Sequence, residues 1–327
     1  MTPPAFGGLQ AAAARQAEEF ANRLRNRARH FRRWPTKRGI TCYRLYERDV
    51  PDVPLVVDRY EDALHIAEFE RPHDRSPAQH ADWLDLMART AANVLEVPRD
   101  RVFVKYRDRQ RGTDQYQRVA NDRARFVVHE GGLQFIVNLS DYIDTGLFLD
   151  HRLTREIVRK AAAGKRFLNL FAYTGSFSVY AASGGATTTT TVDKSATYVD
   201  WARENLTLNG FVAPDHEVIR NDIREFFDRL KPSSEWDLVV VDPPTFSNTK
   251  GADDDWDLQR DHGELLRHLA PHISPGGVVF FSTNFRRFKL DEQALVAYQI
   301  REITRQTIPE DFRNERIHKC WQLARKS

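Results

Sequence analysis

Between Arg166 and the C-terminus, short apolar runs alternate with segments of helical period, and few folds tolerate that alternation. Runs at Arg166 to Phe171, Thr187 to Val192, Glu217 to Ile219, Leu238 to Val241 and Val278 to Ser282 read as strands. Helices are expected at Ser176 to Ala182, Ser195 to Leu208, Ile223 to Leu230, Asp261 to Leu269 and Asp291 to Gln306. A continuous apolar run suits a strand covered by helices on both faces, so the pattern predicts an α/β fold with a parallel, doubly wound, Rossmann-like sheet. The five threonines from Thr187 to Thr191 are β-branched strand residues, not a low-complexity tract.

The region ahead of this alternation reads differently. Ala13, Ala17, Phe20, Leu24, Ala28 and Phe31 recur at helical spacing, with Arg15, Arg23, Arg25, Arg29 and Arg32 off that stripe, and Pro35 and Gly39 end the helix. Strands are expected at Thr41 to Glu47, Leu55 to Arg59, Ala63 to Phe69 and Val102 to Tyr106. Between the last two, Ser76-Pro77 is an N-cap and first-turn pair, and Leu84, Met87, Ala91 and Val94 supply a buried helix face. Phe126 to His129 and Leu133 to Val137 form a hairpin across Gly131-Gly132. The expected organisation is a basic amphipathic helix over 1–40 and a small α/β module over 41–125. A larger domain over 126–327 follows, opened by the hairpin and a helix.

The net charge of +3 hides an uneven distribution: +7 over residues 1–40, −6 over 41–100, +5 over 101–125 and −3 over the rest. Two basic stretches therefore flank an acidic one, a footprint suited to phosphate groups. Arginine outnumbers lysine 39 to 10, and its planar fork suits bidentate phosphate contacts. Arg25, Arg29, Lys105, Arg107, Arg109 and Arg111 are the candidate phosphate contacts in this region, with Asn284, Arg286 and Arg287 as a second group after the last strand. No apolar run is long enough to cross a bilayer, the first residues lack a signal-like core, and the chain is expected in the cytoplasm. Cys42 and Cys320 make neither a disulfide framework nor a metal knuckle, so no metal is expected.

In a doubly wound sheet, ligands bind beyond the carboxyl ends of the strands. After the first strand comes Asn169-Leu-Phe171-Ala172-Tyr173-Thr174-Gly175, with one glycine where a dinucleotide fold needs three. That disfavours an NAD-dependent oxidoreductase, whereas a nucleoside without pyrophosphate needs fewer glycines. Asp193, after the second strand, is placed to accept from two ribose hydroxyls. Asp222 and Ile223, after the third, suit an adenine amino group and ring. Asp242-Pro243-Pro244-Thr-Phe246 follows the fourth, and the set points to S-adenosylmethionine.

These residues resemble a known family. Asp242 to Lys250 (DPPTFSNTK) and Gln259-Arg-Asp-His262 look like the N7-guanine half of the bifunctional bacterial 23S ribosomal RNA guanine methyltransferase. So do Thr145 to Arg152 (TGLFLDHR), Asn169 to Gly175 and Trp201 to Gly210, and the likeness runs from Phe20 to Arg25 and Cys42 to Tyr46 through to Ile317 to Trp321. The resemblance implies a class I methyltransferase fold with S-adenosylmethionine as donor and a guanine of large-subunit RNA as acceptor. Bifunctional members carry an N2-guanine methyltransferase half ahead of this one. A separate N2-guanine methyltransferase or the assembling large subunit is therefore an expected partner beside 23S ribosomal RNA.

Residue chemistry narrows the reaction. Carbon-5 methylation of a pyrimidine needs a cysteine nucleophile, and neither Asp242-Pro-Pro-Thr nor Ser282-Thr-Asn-Phe contains one. Guanine N7 offers an in-plane lone pair and needs no general base, so positioning is enough. Pro243 and Pro244 are expected to shape the base slot, Phe246 to stack on the base, and Asp242 to help bear the developing positive charge. Asp150 and Arg152 are expected to close over the methionine end of the cofactor. N2-guanine or another amino methylation is the alternative, with Asp242 and the Pro243 carbonyl orienting the amine. A non-catalytic RNA-binding or remodelling protein of the same fold is the other.

Overall fold

The computed structural model describes residues 8–69, 71–107, 125–141, 144–247 and 256–326. The chain divides into two units. The first runs to Gly132 and includes Ile136–Thr145; the second holds Leu133–Phe135 and the chain from Gly146 on. Among the described residues, no helix is long and apolar enough to cross a membrane.

In the first unit, α1 (Ala12–Phe31), α2 (Trp34–Arg38) and α3 (Pro77–Leu95) accompany β1 (Cys42–Glu47), β2 (Leu55–Tyr60), β3 (Ala63–Phe69) and β4 (Val102–Arg107). The four strands form one sheet in sequence order, antiparallel except for the parallel β3–β4 pair. The helical stripe of α1 does what its spacing predicts: Ala13, Phe20, Leu24 and Phe31 are buried, and Ala17 and Ala28 pack against the same core. Pro35 falls in the first turn of α2, where its missing N–H leaves no bond unmade, and Gly39 follows at φ +60°. Helix α3 starts in a capping box. The Ser76 hydroxyl accepts from Gln79 N at 3.3 Å, and the Gln79 side chain accepts from Ser76 N at 3.0 Å.

The hairpin joins β5 (Arg125–Glu130) to β6 (Leu133–Asn138) through Gly131 and Gly132, both at positive φ. Helix α4 (Arg152–Ala161) then leads into β7 (Arg166–Leu170), α5 (Ser176–Ser183), β8 (Thr188–Asp193), α6 (Ala196–Leu208), β9 (His216–Arg220), α7 (Ile223–Asp228) and β10 (Trp236–Val241). A two-residue ladder, β11 (Phe246–Ser247) with β12 (Trp256–Asp257), precedes α8 (Leu258–Leu269), β13 (Ile273–Thr283), β14 (Tyr298–Glu302), α9 (Thr304–Thr307) and β15 (Lys319–Arg325).

The seven-stranded sheet runs β14-β15-β13-β10-β7-β8-β9. The five strands read from the sequence pair in parallel, with the order reversing at β7. The sheet is not wholly parallel, however. β15 is antiparallel to both β13 and β14. The helix expected at Asp291 to Gln306 is also absent; a short 3-10 turn, β14 and α9 stand there. Its apolar residues satisfy a helical period locally, but β15 offers Tyr298 to Glu302 a complete ladder, and tertiary pairing overrides propensity. Tyr298 is buried, with its hydroxyl donating to Leu266 O at 2.9 Å.

Candidate cofactor and active site

Register aligns the strand ends. Ile219, Val192, Leu170, Val241 and Phe281 are successive partners across β9, β8, β7, β10 and β13. The residue after each therefore falls in the next row: Arg220, Asp193, Phe171, Asp242 and Ser282. Two of the predicted carboxylates and the start of the predicted loop lie along one edge because parallel pairing is regular.

The loop after β7 is sharply wound. Phe171 (φ +55°), Tyr173 (φ +52°) and Gly175 (φ +72°) are all left-handed. Non-glycine residues adopt this conformation only when their surroundings hold them, at a cost of order 1–3 kcal/mol each, and ligand sites are where such strain collects. Asp193 does part of the holding: its carboxylate accepts from Tyr173 N and Ser195 N, both at 2.8 Å. Burial raises the Asp193 carboxyl above its ordinary range, and those backbone bonds pull it back. The Tyr173 hydroxyl accepts from Gly146 N at 2.9 Å, and the buried Thr174 hydroxyl donates to Gly146 O at 2.6 Å. Gly175 is required twice over, since a Cβ there would stand 2.9 Å from Ala202 Cβ on α6. Ala172 is buried beneath the turn.

Asn169, expected to touch the cofactor, stands near the end of β7, just before the loop. It is buried on β7, and its amide donates to Ser178 Oγ at 3.0 Å, with Thr191 donating to the same hydroxyl at 2.7 Å. Asp222 caps α7 through Arg224 N at 3.0 Å and pairs with Lys194 at 3.1 Å. Ile223 belongs to the core beneath the sheet. Arg152, expected at the methionine end of the cofactor, is buried and makes a two-pronged pair with the buried Asp311 at 2.9 and 3.3 Å.

At the β10 end, Asp242 is half-buried, Pro243 buried and Pro244 exposed. Ser282 donates to Asp242 Oδ1 at 2.6 Å. Trp256 donates to Pro244 O at 2.9 Å and packs on Phe171 with ring centroids 5.1 Å apart, tying the β7 and β10 loops together. Thr245 donates to Asn284 Oδ1 at 3.1 Å, joining the β10 and β13 loops. The Phe246 side chain lies outside the described residues. Gln259 grips Lys289 through both its backbone groups at 2.8 and 2.9 Å, and His262 accepts from Asp291 N at 3.0 Å. The Gln259 to His262 motif therefore ties the start of α8 to the chain after β13.

Sequence reasoning missed His151 and His318, although both stand inside family-like motifs. His151 Nε2 is 3.5 Å from Asp242 Oδ2, and burial lowers its imidazole below the ordinary range. His318 stacks on it at 4.6 Å, and one oxygen or nitrogen from each of Asp150, His151 and His318 lies within 4.8 Å of the others. Cys320 pairs in register with Ser282 but is buried. Burial and Asp242 push its thiol far above the usual value, so it stays protonated and is no nucleophile.

Of the basic candidates, Arg25, Arg29, Arg286 and Arg287 are exposed and Lys105 is half-buried on β4. The side chain of Arg107, and Arg109 and Arg111 altogether, lie outside the described residues.

The residues present fit a nucleoside cofactor: a wound backbone loop, a carboxylate beside it, and a second carboxylate along the same edge. Residues 43–316 match the model of the S-adenosylmethionine-dependent methyltransferase family. Over 309 residues the chain is 42% identical to "Ribosomal RNA large subunit methyltransferase K" of Neisseria meningitidis serogroup B, spanning 94% of this chain and 87% of that one. It is 46% identical over 315 residues to "Ribosomal RNA large subunit methyltransferase K/L" of Methylococcus capsulatus, spanning 95% of this chain but only 43% of the relative. Among solved structures, a provisionally assigned methyltransferase complexed with SAH superposes with a TM-score of 0.75 at 21% identity, covering 94% of this chain and 81% of that one. A SAM-dependent methyltransferase from Agrobacterium tumefaciens gives 0.58 at 19% identity, with 84% and 88% covered. The sheet is thus the class I methyltransferase fold, the cofactor is S-adenosylmethionine, and the chain belongs to the S-adenosylmethionine-dependent methyltransferase family.

Proposed function

We propose that this chain methylates a guanosine of 23S ribosomal RNA at N7. The observation that carries the RNA target is the 42% identity across 87% of a relative named for methylating large-subunit ribosomal RNA. The chain spans 43% of the K/L relative. Any N2-guanine methylation partner would be a separate protein or the remaining part of such an arrangement.

When bound, S-adenosylmethionine supplies an electrophilic methyl group on a sulfonium. Asp193 would accept from the ribose hydroxyls while its other lone pairs keep Tyr173 and Ser195 in place. Asp222, Ile223 and the backbone of residues 171–175 would hold the nucleoside. Asp150 is the remaining candidate for the methionine end, with Arg152 committed to Asp311. Pro243 and Pro244 would define a rigid lip against which the acceptor base is aligned. Alignment of a lone pair with the methyl carbon can lower a barrier by about 7–11 kcal/mol without proton transfer. Asp242 would stabilise the positive charge that N7 gains. A paired guanine cannot reach this edge, so the base must be flipped or delivered unpaired.

Methylation at N2 of guanine is the second reading, because the Asp242 side chain is equally placed as an acceptor for an exocyclic amine. The two readings separate on the product. Incubation of 23S ribosomal RNA with the chain and S-adenosylmethionine, followed by borohydride and aniline, cleaves the strand at 7-methylguanosine and leaves N2-methylguanosine intact. Cleavage at one guanosine supports N7. A methylated nucleoside of N2 type by mass spectrometry, with no cleavage, overturns it.

A further inference from the structure

Two histidines beside Asp242 have no role in the cofactor or base contacts above. His318 is completely engaged. Thr307 Oγ1 lies 2.7 Å from Thr304 O, and a carbonyl only accepts, so the hydroxyl proton is committed there. His318 Nε2, 2.9 Å from the same hydroxyl oxygen, must then donate to it. On the other side of the ring, His318 Nδ1 is 3.0 Å from Asp150 Oδ2 and donates to that carboxylate. Hydrogen bonds at both ends fix the ring in its plane.

His151 lies flat on that fixed ring, with 4.6 Å between centroids and 10° between planes, and meets Phe177 edge-on at 5.7 Å. Its Nε2 faces two carboxylates, Asp242 Oδ2 at 3.5 Å and Asp150 Oδ2 at 3.9 Å. Its Nδ1 is buried with no hydrogen-bond partner among the described residues. A nitrogen between two carboxylates carries the proton, and the bare lone pair is left on Nδ1. Burial favours this neutral form. Asp242 is consequently flanked on both sides, hydrogen-bonded by the Ser282 hydroxyl at Oδ1 and faced by His151 Nε2 3.5 Å from Oδ2.

We propose that His151 is a positioning residue that fixes the Asp242 carboxylate toward the acceptor base, with His318 and Asp150 holding His151 in its plane and tautomer. The proposal rests on the reading of Asp242 as the group facing that base. A shared metal ion is a poorer account of the same cluster: near-parallel rings keep their lone pairs in parallel planes, and both nitrogens of His318 already donate. A carboxylate free to swing would lose the preorganisation that gives such a group its effect in the transition state.

The test compares His151→Phe and His151→Gln in the full chain, with 23S ribosomal RNA transcript and S-adenosylmethionine as substrates. His151→Phe keeps a ring on His318 and removes the N–H. It should lower kcat by about 10- to 100-fold while KM for RNA and Kd for S-adenosylmethionine stay near wild type. His151→Gln places an amide N–H near the former Nε2 and should recover most of that loss. Unchanged kcat in His151→Phe, or equal losses in both variants, overturns the proposal. A measurement without turnover guards against misfolded variants: nitrogen-15 NMR of the wild-type imidazoles should show an Nε2–H tautomer for His151. An Nδ1–H tautomer at His151 overturns the proposal. A wild-type chain that leaves the RNA unmethylated counts against the functional reading, and the NMR spectrum still decides this one.

Discussion

At the strand ends of the second unit, the candidate functional side chains are already bonded: Asp193 to two backbone N–H groups, Asp242 to Ser282, and Asp222 to the start of α7. On α1 of the first unit, Arg25 reaches only Asn22 among the described residues, one turn back, at 2.7 Å, and Arg29 is exposed. The contrast follows from what each region would bind. A nucleoside and a reacting methyl group demand groups fixed to within a fraction of an ångström, and only a network of short bonds supplies that. Phosphates along a strand are bound by charge over a distance, and mobile arginines suit them. Arginines off the α1 stripe are nonetheless not equivalent: Arg23 pairs with Asp49 at 3.0 Å, and Arg27 lies 4.3 Å over the Phe31 ring and donates to Leu45 O.

The contrast is broken most severely by Arg152, an arginine that behaves like the strand-end groups. Arg152→Leu removes the two-pronged partner of the buried Asp311 carboxylate and should cost about 3–5 kcal/mol in urea denaturation, while Arg286→Leu on the exposed loop leaves the midpoint unchanged. Equal midpoints for the two would show that burial of the ion pair carries no stability. Asp193→Ala removes charged acceptors from the loop and should weaken S-adenosylmethionine binding roughly 100-fold or more by calorimetry, with RNA affinity retained. Loss of both together would erase the distinction between the two regions.

Gly175→Ala tests the wound loop itself. The clash with Ala202 and the φ of +72° together should cost about 1–3 kcal/mol. Adding Ala202→Gly should return only the share due to the clash, since the backbone strain remains.

A smaller effect concerns pH. Burial holds the folded-state pKa of His151 below the ordinary imidazole value, so the unfolded chain binds more protons there, and stability falls as pH drops below about 6.5. His216 and His262 are shifted in the same direction, so the expected observation is a shallower decline in His151→Gln, not a flat one. The smallest structural effect is expected on α1. Arg25→Ala with Arg29→Ala should leave stability untouched and reduce the slope of log affinity against log salt by about 0.7–0.9 for every phosphate that is no longer neutralised. An unchanged slope would remove α1 from the RNA footprint.

Much of the second unit is readable from local pattern. The apolar runs of β7, β8, β10 and β13 mark strands whichever partners they find, and parallel register then brings Asp193 and Asp242 to one edge. Asp291 to Gln306 defeats the same reasoning, because its period suits a helix and only β15 makes it a strand. Arg152 escapes it for a related reason: its partner Asp311 is 159 residues away. His151 and His318 carry no signal beyond their place in family motifs, since stacking between α4's N-terminal turn and β15's approach has no sequence period.

By itself, then, the sequence determined the alternation of strands and helices, the positions of the strand ends, and the residue types placed there. These depend on backbone periods of two and 3.6 residues and on turn chemistry, which act over a few positions. Tertiary structure alone decided which side chains face the edge and which are used up beneath it: Asn169 on Ser178, Arg152 on Asp311, His318 between Asp150 and Thr307. Such bonds form when chain segments far apart in sequence are packed together, and the strength of a buried polar contact depends on that packing rather than on its neighbours along the chain.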